Sequence, residues 1–458
     1  MSTVANTHEL LAGWGNCPVE PCHVVRPDTL GQLRELVAAG RQPSYIARGC
    51  GRAYGDAALN RDRGVACTAA LNEIVSFDPQ TGTIDCQGGV SLEQIIDRSL
   101  PHGWFLPTTP GTRFVSVGGA VAADVHGKNH HLDGSFGNFV TDLGLLLACG
   151  EIVRCSPTAN ADLFWATVGG MGLTGIVVRT RLRLVRTNSA WCEVEYRRTA
   201  DLDETLDAFA TARQYRYSVA WLDCLAPRHS LGRGVVMLAD DAPPDRLPPK
   251  LQRCPLELRT RKTRNVPCFL PNGLLNRHTA RAFNSLYYAR HGNGRRLVDY
   301  DRFFYPLDGV RHWNRIYGRR GFVQYQALLP PDTSRRGLIE LLETVADSGA
   351  AAFLAVLKPS GPATPGMLSF LYPGTTIALD LPNTGEPLRR LGGKLDELLL
   401  RHGGRVYLAK DALTGREAFA AMYPRLAEFR AIKARIDPHG RFSSSLARRL
   451  GLSAPGDA

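Results

Sequence analysis

A chain of 458 residues exceeds one ordinary domain and suggests two or three. Its 44% hydrophobic and 21% charged residues describe a globular protein, and no uncharged apolar run reaches the roughly 18 residues a membrane span needs. The net charge of +12 raises nucleic acid as a partner, but the excess is local: between Lys250 and Arg296 eleven Lys/Arg face one acid, Glu257. The 11 cysteines lie between Cys17 and Cys268 without CxxC pairs, which reads as reduced thiols rather than a disulfide framework or a metal site. The N-terminus, MSTVANTHELLAGWGN, shows no basic start followed by an apolar stretch, so a cytoplasmic location is expected.

From residue 15 to about 190 the chain reads as short strands joined by glycine-rich turns. Apolar residues at 30, 33, 36 and 37 predict a helix over 28–40. The run SYIA (44–47) predicts a strand and feeds the loop ARGCGRAYGDAALN (47–60), and further strands are expected in RGVACTAA and SFDPQTGTIDCQG. SLEQIIDRSL (91–100) opens with a Ser91–Gln94 capping box, and ADLFWATVGG (161–170) is a third helix. After Arg186 longer amphipathic helices are expected at 334–347 and 387–403, with strands at 218–226, 322–330 and 376–382. A final helical stretch, 414–437, stops at Pro438. The domain boundaries drawn are 1–187, 188–403, and a tail, 404–458, returning to the first domain.

Glycines 49, 51 and 55 of the first loop permit positive φ and let backbone N–H groups turn toward an anion. Their spacing is G-x-G-x-x-x-G and strands follow it, so a Rossmann nicotinamide site, which needs a helix there, is excluded. The second loop, 107–140, places Gly118, Gly119, Ala120, Ala122 and Ala123 together, a patch of minimal side chains that a planar cofactor can approach. Either loop alone is a weak signal; two in one strand-rich region favour a nucleotide-sized ligand. The basic stretch carries the apolar runs CFLPNGLL (268–275) and AFNSLYYA (282–289). A loop-like basic segment with apolar groups suits an anionic membrane surface better than a nucleic-acid groove, so no nucleic acid is expected.

The runs RGCGRAYGD (48–56), PGTRFVSVGGAVAADVHGKNHHLDGSFGNFV (110–140) and LFWATVGGMGLTGIV (163–177) resemble the FAD-binding domain of the vanillyl-alcohol-oxidase (PCMH-type) flavoproteins. Within that group the chain is similar to the decaprenylphosphoryl-β-D-ribose 2-oxidases, from GWG (13–15) through WNRIYG (313–318) and GFVQYQ (321–326) to YLAKD (407–411). The resemblance implies an α+β fold: a PCMH-type FAD-binding domain of two subdomains, and a substrate domain with an antiparallel sheet flanked by helices. It implies FAD against Ala47, Arg48, Gly49, Cys50, Gly51, Arg52, Ala53, Tyr54, Gly55, Asp56 and Ala57. The second loop would add Gly111, Ser116, Val117, Gly118, Gly119, Ala123, Asp124, Val125 and His126, with Ile176 and Tyr407 from later in the chain. Many relatives in the larger group attach the flavin through a histidine where this chain has Arg52, so non-covalent FAD is expected, with Arg52 free to pair with a phosphate.

For catalysis the resemblance implies His126, Lys410, Lys358 and Tyr54, the last hydrogen-bonded near Lys410; for substrate it implies Lys128, Trp221, Gln324, Gln326, Lys358, Thr376 and Ala378. Gln324 and Gln326 alternate on a strand and so share one face. Ala378 stands where the family has a pocket cysteine, and Thr376 where it has an asparagine. The implied activity is oxidation of the C2 hydroxyl of a polyprenyl-phosphate-linked ribose. A separate NADH-dependent reductase would complete epimerisation at the inner face of a membrane. Oxidation of soluble alditols or aldonolactones is the alternative.

Overall fold

A computed structural model describes residues 6–258 and 261–452; Arg259, in the basic stretch, lies outside them. The first domain is built on two small sheets. One orders its strands Asn6–Ala12, Val19–Val25, Gly64–Cys67, Tyr45–Arg48, with an antiparallel first pair and parallel pairings after it. The other is antiparallel throughout, ordered Ile74–Asp78, Thr83–Gln87, Ile176–Arg183, Val140–Leu146, Ile152–Cys155. These are the two expected subdomains, and the helices lie where periodicity placed them. Leu30–Ala39 starts at the Thr29 cap and stops at Gly40, whose φ of 54° ends a helix without a Cβ clash. Leu92–Ser99 has both halves of its capping box.

From Trp191 onward the chain builds an eight-stranded antiparallel sheet. Its spatial order is Gly294–Asp299, Trp191–Thr199, Gly234–Asp241, Tyr217–Leu222, Ala355–Ser360, Gly374–Pro382, Phe322–Leu329, Arg405–Val406. Side chains alternate across it. Tyr325 points to the helix Glu386–Arg401, where its hydroxyl donates to Asp396 at 2.9 Å. Gln324 and Gln326 point the other way, toward the first domain.

Three expectations are corrected. The stretch 414–437 is two helices, Arg416–Met422 and Leu426–Ile436, because Pro424 between them has no N–H to donate. The tail returns to the first domain only after Val406, since Arg405–Val406 is an edge strand of the large sheet. Beyond it Ser443 N–H donates to Tyr45 O at 3.1 Å, and Phe442 bridges to Tyr45. The basic stretch is not one loop: Asn276 caps a helix over Arg277–Arg290, and Gly294–Asp299 is the opposite edge of the large sheet. Among the described residues no helix is long and apolar enough to cross a membrane.

Candidate active site

Both glycine loops contribute to one wall, and tight packing demands glycine at two positions of the first loop. A Cβ on Gly49 would come within 1.9 Å of Ser116 Oγ, and one on Gly55 within 2.0 Å of Asp411 O. Ser116 caps the helix Val117–Ala122, its hydroxyl accepting from Gly119 N–H at 3.3 Å. The wall bounds a cavity of about 890 Å³, at the upper end of the ~300–1,000 Å³ of small-molecule and cofactor sites. From the first domain Ala47, Gly49, Cys50, Gly51, Arg52, Ala53, Tyr54, Ala57, Gly111, Ser116, Gly118, Gly119, Ala123, Val125, His126, Lys128 and Ile176 line it. The substrate domain adds Trp221, Gln324, Gln326, Lys358 and Ala378, and the tail Tyr407 and Lys410.

Six expected residues do not line this cavity. Arg48 donates to Ala12 O at 2.7 Å, tying the loop to the first strand. Gly55 is packed on the Asp411 carbonyl, and Asp56 is paired with Arg449 at 2.8 Å. Val117 is core. Asp124, at a φ of 41°, accepts from Gly137 N–H at 2.9 Å and from the Thr364 and Ser369 hydroxyls at 2.7 Å each. Thr376 lies behind Gln326, whose amide reaches its hydroxyl at 3.2 Å.

Where the first domain meets the large sheet, three lysines converge on the cavity. Burial pushes the Lys358 ammonium down to about 8. Burial, with Lys358 adding repulsion, pushes Lys128 down to about 7. Lys128 Nζ donates to Phe304 O at 3.2 Å. Burial also lowers Lys410 and raises Asp380, each charge partly offsetting the other's penalty. Asp380 accepts from the Gln324 amide and from Tyr317 OH at 3.5 Å. Tyr54 is hydrogen-bonded beside Lys410, to the Gln324 side chain, and Lys410 Nζ sits 3.6 Å from the centre of its ring, a cation–π contact. The Arg52 guanidinium lies over the Trp14 ring, 4.2 Å from its centre, and donates to Phe114 O at 3.3 Å. His126 Nε2 is 3.0 Å from the Gln326 amide, and burial beside Lys358 holds the ring well below the usual histidine range, hence neutral.

Asp380 and Tyr317 were missed, although both stand in the motifs TIALDLP and WNRIYG. An Asp flanked by two leucines on a buried strand was the available signal.

The trough fits a flavin dinucleotide on two observations. Its floor is backbone, Gly and Ala over both loops, and His126 Nδ1 on its wall is buried without a partner. An orphan of that kind costs ~1–3 kcal/mol, which a polar cofactor edge removes. Residues 21–156 match the FAD binding domain family, and residues 384–450 the D-arabinono-1,4-lactone oxidase family. The protein is therefore an FAD-binding oxidoreductase. Along its length it is 40% identical to decaprenylphosphoryl-beta-D-ribose oxidase of Mycolicibacterium smegmatis, covering 97% of this chain and 98% of that one. An uncharacterized protein in the mprA 5′ region of Streptomyces coelicolor is 37% identical over 79% of this chain and its own full length. A putative D-arabinono-1,4-lactone oxidase of Neurospora crassa is 27% identical over 37% of this chain and 31% of its own. The chain belongs to the decaprenylphosphoryl-β-D-ribose oxidase family.

Proposed function

We propose that this chain oxidises the C2 hydroxyl of a polyprenyl-phosphate-linked ribose to a 2-keto sugar. The carrying observation is the cluster of Lys128, Lys358 and Lys410 on one cavity with the glycine loops. A neutral polyol gives the buried Lys128 and Lys358 nothing to neutralise and a sugar phosphate does, while Lys410 already faces Asp380. Bound FAD, held without a covalent bond, supplies the acceptor for the C2 hydride. Lys410 Nζ, lowered by burial, exchanges a proton at accessible pH and takes the one leaving the C2 hydroxyl. Lys358 and Lys128 hold the phosphate, while Gln324 and Gln326 bond the ribose hydroxyls. His126, neutral, keeps Gln326 in place. A 2-keto sugar requires a reductase to complete epimerisation, so a separate NADH-dependent partner consumes the product. The basic helix Arg277–Arg290 faces an anionic membrane surface.

Mixed anaerobically with the enzyme, a polyprenyl phosphoribose bleaches the flavin absorbance, and xylitol or gulonolactone does not. Lys410→Ala retains FAD but slows the bleaching at least ~10²-fold. Bleaching by the polyol or lactone alone would reject the substrate.

A further inference from the structure

Residues in register across the large sheet change character strand by strand on the face toward the first domain. The row runs Gln326, Ala378, Val356, Trp221. One strand further, Val219 pairs with Met237, and Met237 with Tyr196. All of these residues line the same cavity as the glycine loops. Polar groups therefore end at the strand carrying Lys358, and the next three strand steps, roughly 14 Å at ~4.8 Å each, are apolar.

The helix Arg277–Arg290 covers this apolar half. Tyr287 lies against Trp221 at 4.5 Å between ring centres, and Phe283, one turn earlier, against Phe353 at 4.6 Å. Phe283 lines the cavity yet is 40% exposed, and Leu286 beside it is 53% exposed. The apolar surface thus continues from the interior out to the protein's exterior. At its mouth the helix carries Arg277, Arg281 and Arg290 and no acid.

We propose that this half of the cavity is a corridor for the prenyl chain, entered beneath the helix Arg277–Arg290 and ending at the lysines, which take the phosphate. It rests on the polyprenyl-phosphate substrate proposed above. Three features favour this occupant. The corridor is open at the helix end, where Phe283 and Leu286 are exposed, as a chain longer than the site requires, whereas a compact apolar ligand calls for a closed pocket. Cations stand at both ends, the lysines inside and Arg277, Arg281 and Arg290 at the mouth, matching an anion inside and an anionic lipid surface outside. The wall is largely aromatic, suited to flat unsaturated prenyl units.

The test uses the FAD-loaded enzyme, β-D-ribofuranosyl phosphate esters of ethanol and of geranylgeraniol, and the variants F283S and Y287S on the exposed helix. The variants raise KM for the geranylgeranyl ester about tenfold, the effect of losing one buried large apolar side chain. They leave kcat, and KM for the ethyl ester, unchanged. Equal KM changes for both esters, or none, overturn the corridor. If neither ester reduces the flavin, the substrate reading fails, and geranylgeranyl phosphate alone decides the corridor by calorimetry. Binding weakened about tenfold in the variants supports it, and binding unaffected by them overturns it.

Discussion

Lys358 shows how much the pocket spends on holding positive charge. Its folded pKa, about 8 because of burial, lies below the ~10.4 of a free lysine. The native state therefore binds fewer protons than the unfolded chain between those values, so stability rises with pH through that window. Below about 8 the full cost of the buried ammonium is present. Lys358→Met should therefore raise Tm by a few degrees at pH 7, and that gain should shrink toward zero as pH climbs past 10. The same substitution should raise KM for a phosphoribose ester at least ~10-fold by removing a charge-assisted contact. In wild type KM should rise above pH 8 as Lys358 deprotonates. Thermal melts and flavin-reduction kinetics over pH 6–10 check all three; a loss of Tm at pH 7 would show that the ammonium is paired and not a burden.

The elements carrying these residues were legible from the sequence to different degrees, for physical reasons. Amphipathic helices such as 334–347, found at Pro331–Asp347, and buried strands such as 322–330, found at Phe322–Leu329, carry their period in every residue. The glycine loops were legible because close approach of backbones demands glycine wherever it occurs. Legibility failed where a partner distant in sequence decides the outcome. Asp56 and Asp124 sit inside the loop motifs, yet Arg449 and the hydroxyls of Thr364 and Ser369 turn them to structural work. The basic stretch looked loop-like because it lacks strong apolar periodicity, and its helix depends on the Asn276 cap and on aromatic packing against Trp221. Arg261 donates to Pro306 O at 3.3 Å, whereas Arg277, Arg281 and Arg290 are exposed beside Phe283 and Leu286. Replacing those three arginines by Gln should weaken binding to anionic vesicles at roughly 1 kcal/mol per charge, and salt should weaken wild type likewise. Co-sedimentation with phosphatidylglycerol vesicles at low salt reads this directly, and wild type that stays in the supernatant would leave the helix with no role at a membrane.

At the scale of the whole molecule, the active site is closed by chain segments nearly four hundred residues apart. Arg449, on the terminal helix Ser445–Leu450, pairs with Asp56 at 2.8 Å and Asp411 at 2.9 Å. Asp56 lies two residues after Tyr54, and Asp411 directly follows Lys410. Tyr54 N–H also donates to Ala409 O at 2.9 Å, so the Tyr54 and Lys410 backbones run together with one guanidinium clamping both. Both carboxylates are buried, and leaving either unpaired costs ~3–5 kcal/mol, which makes Arg449→Met a folding defect and a poor probe. Arg449→Lys keeps the charge but cannot bond both carboxylates in the same forked geometry. It should retain FAD and lower Tm modestly. Flavin reduction at saturating substrate should slow about tenfold with little change in KM, since a misplaced Lys410 affects the reacting proton more than the bound phosphate. A lowered Tm with an unchanged limiting rate would confine the clamp to stability. A slowed rate would mean that the tail returns to the first domain in order to set Lys410 against Tyr54.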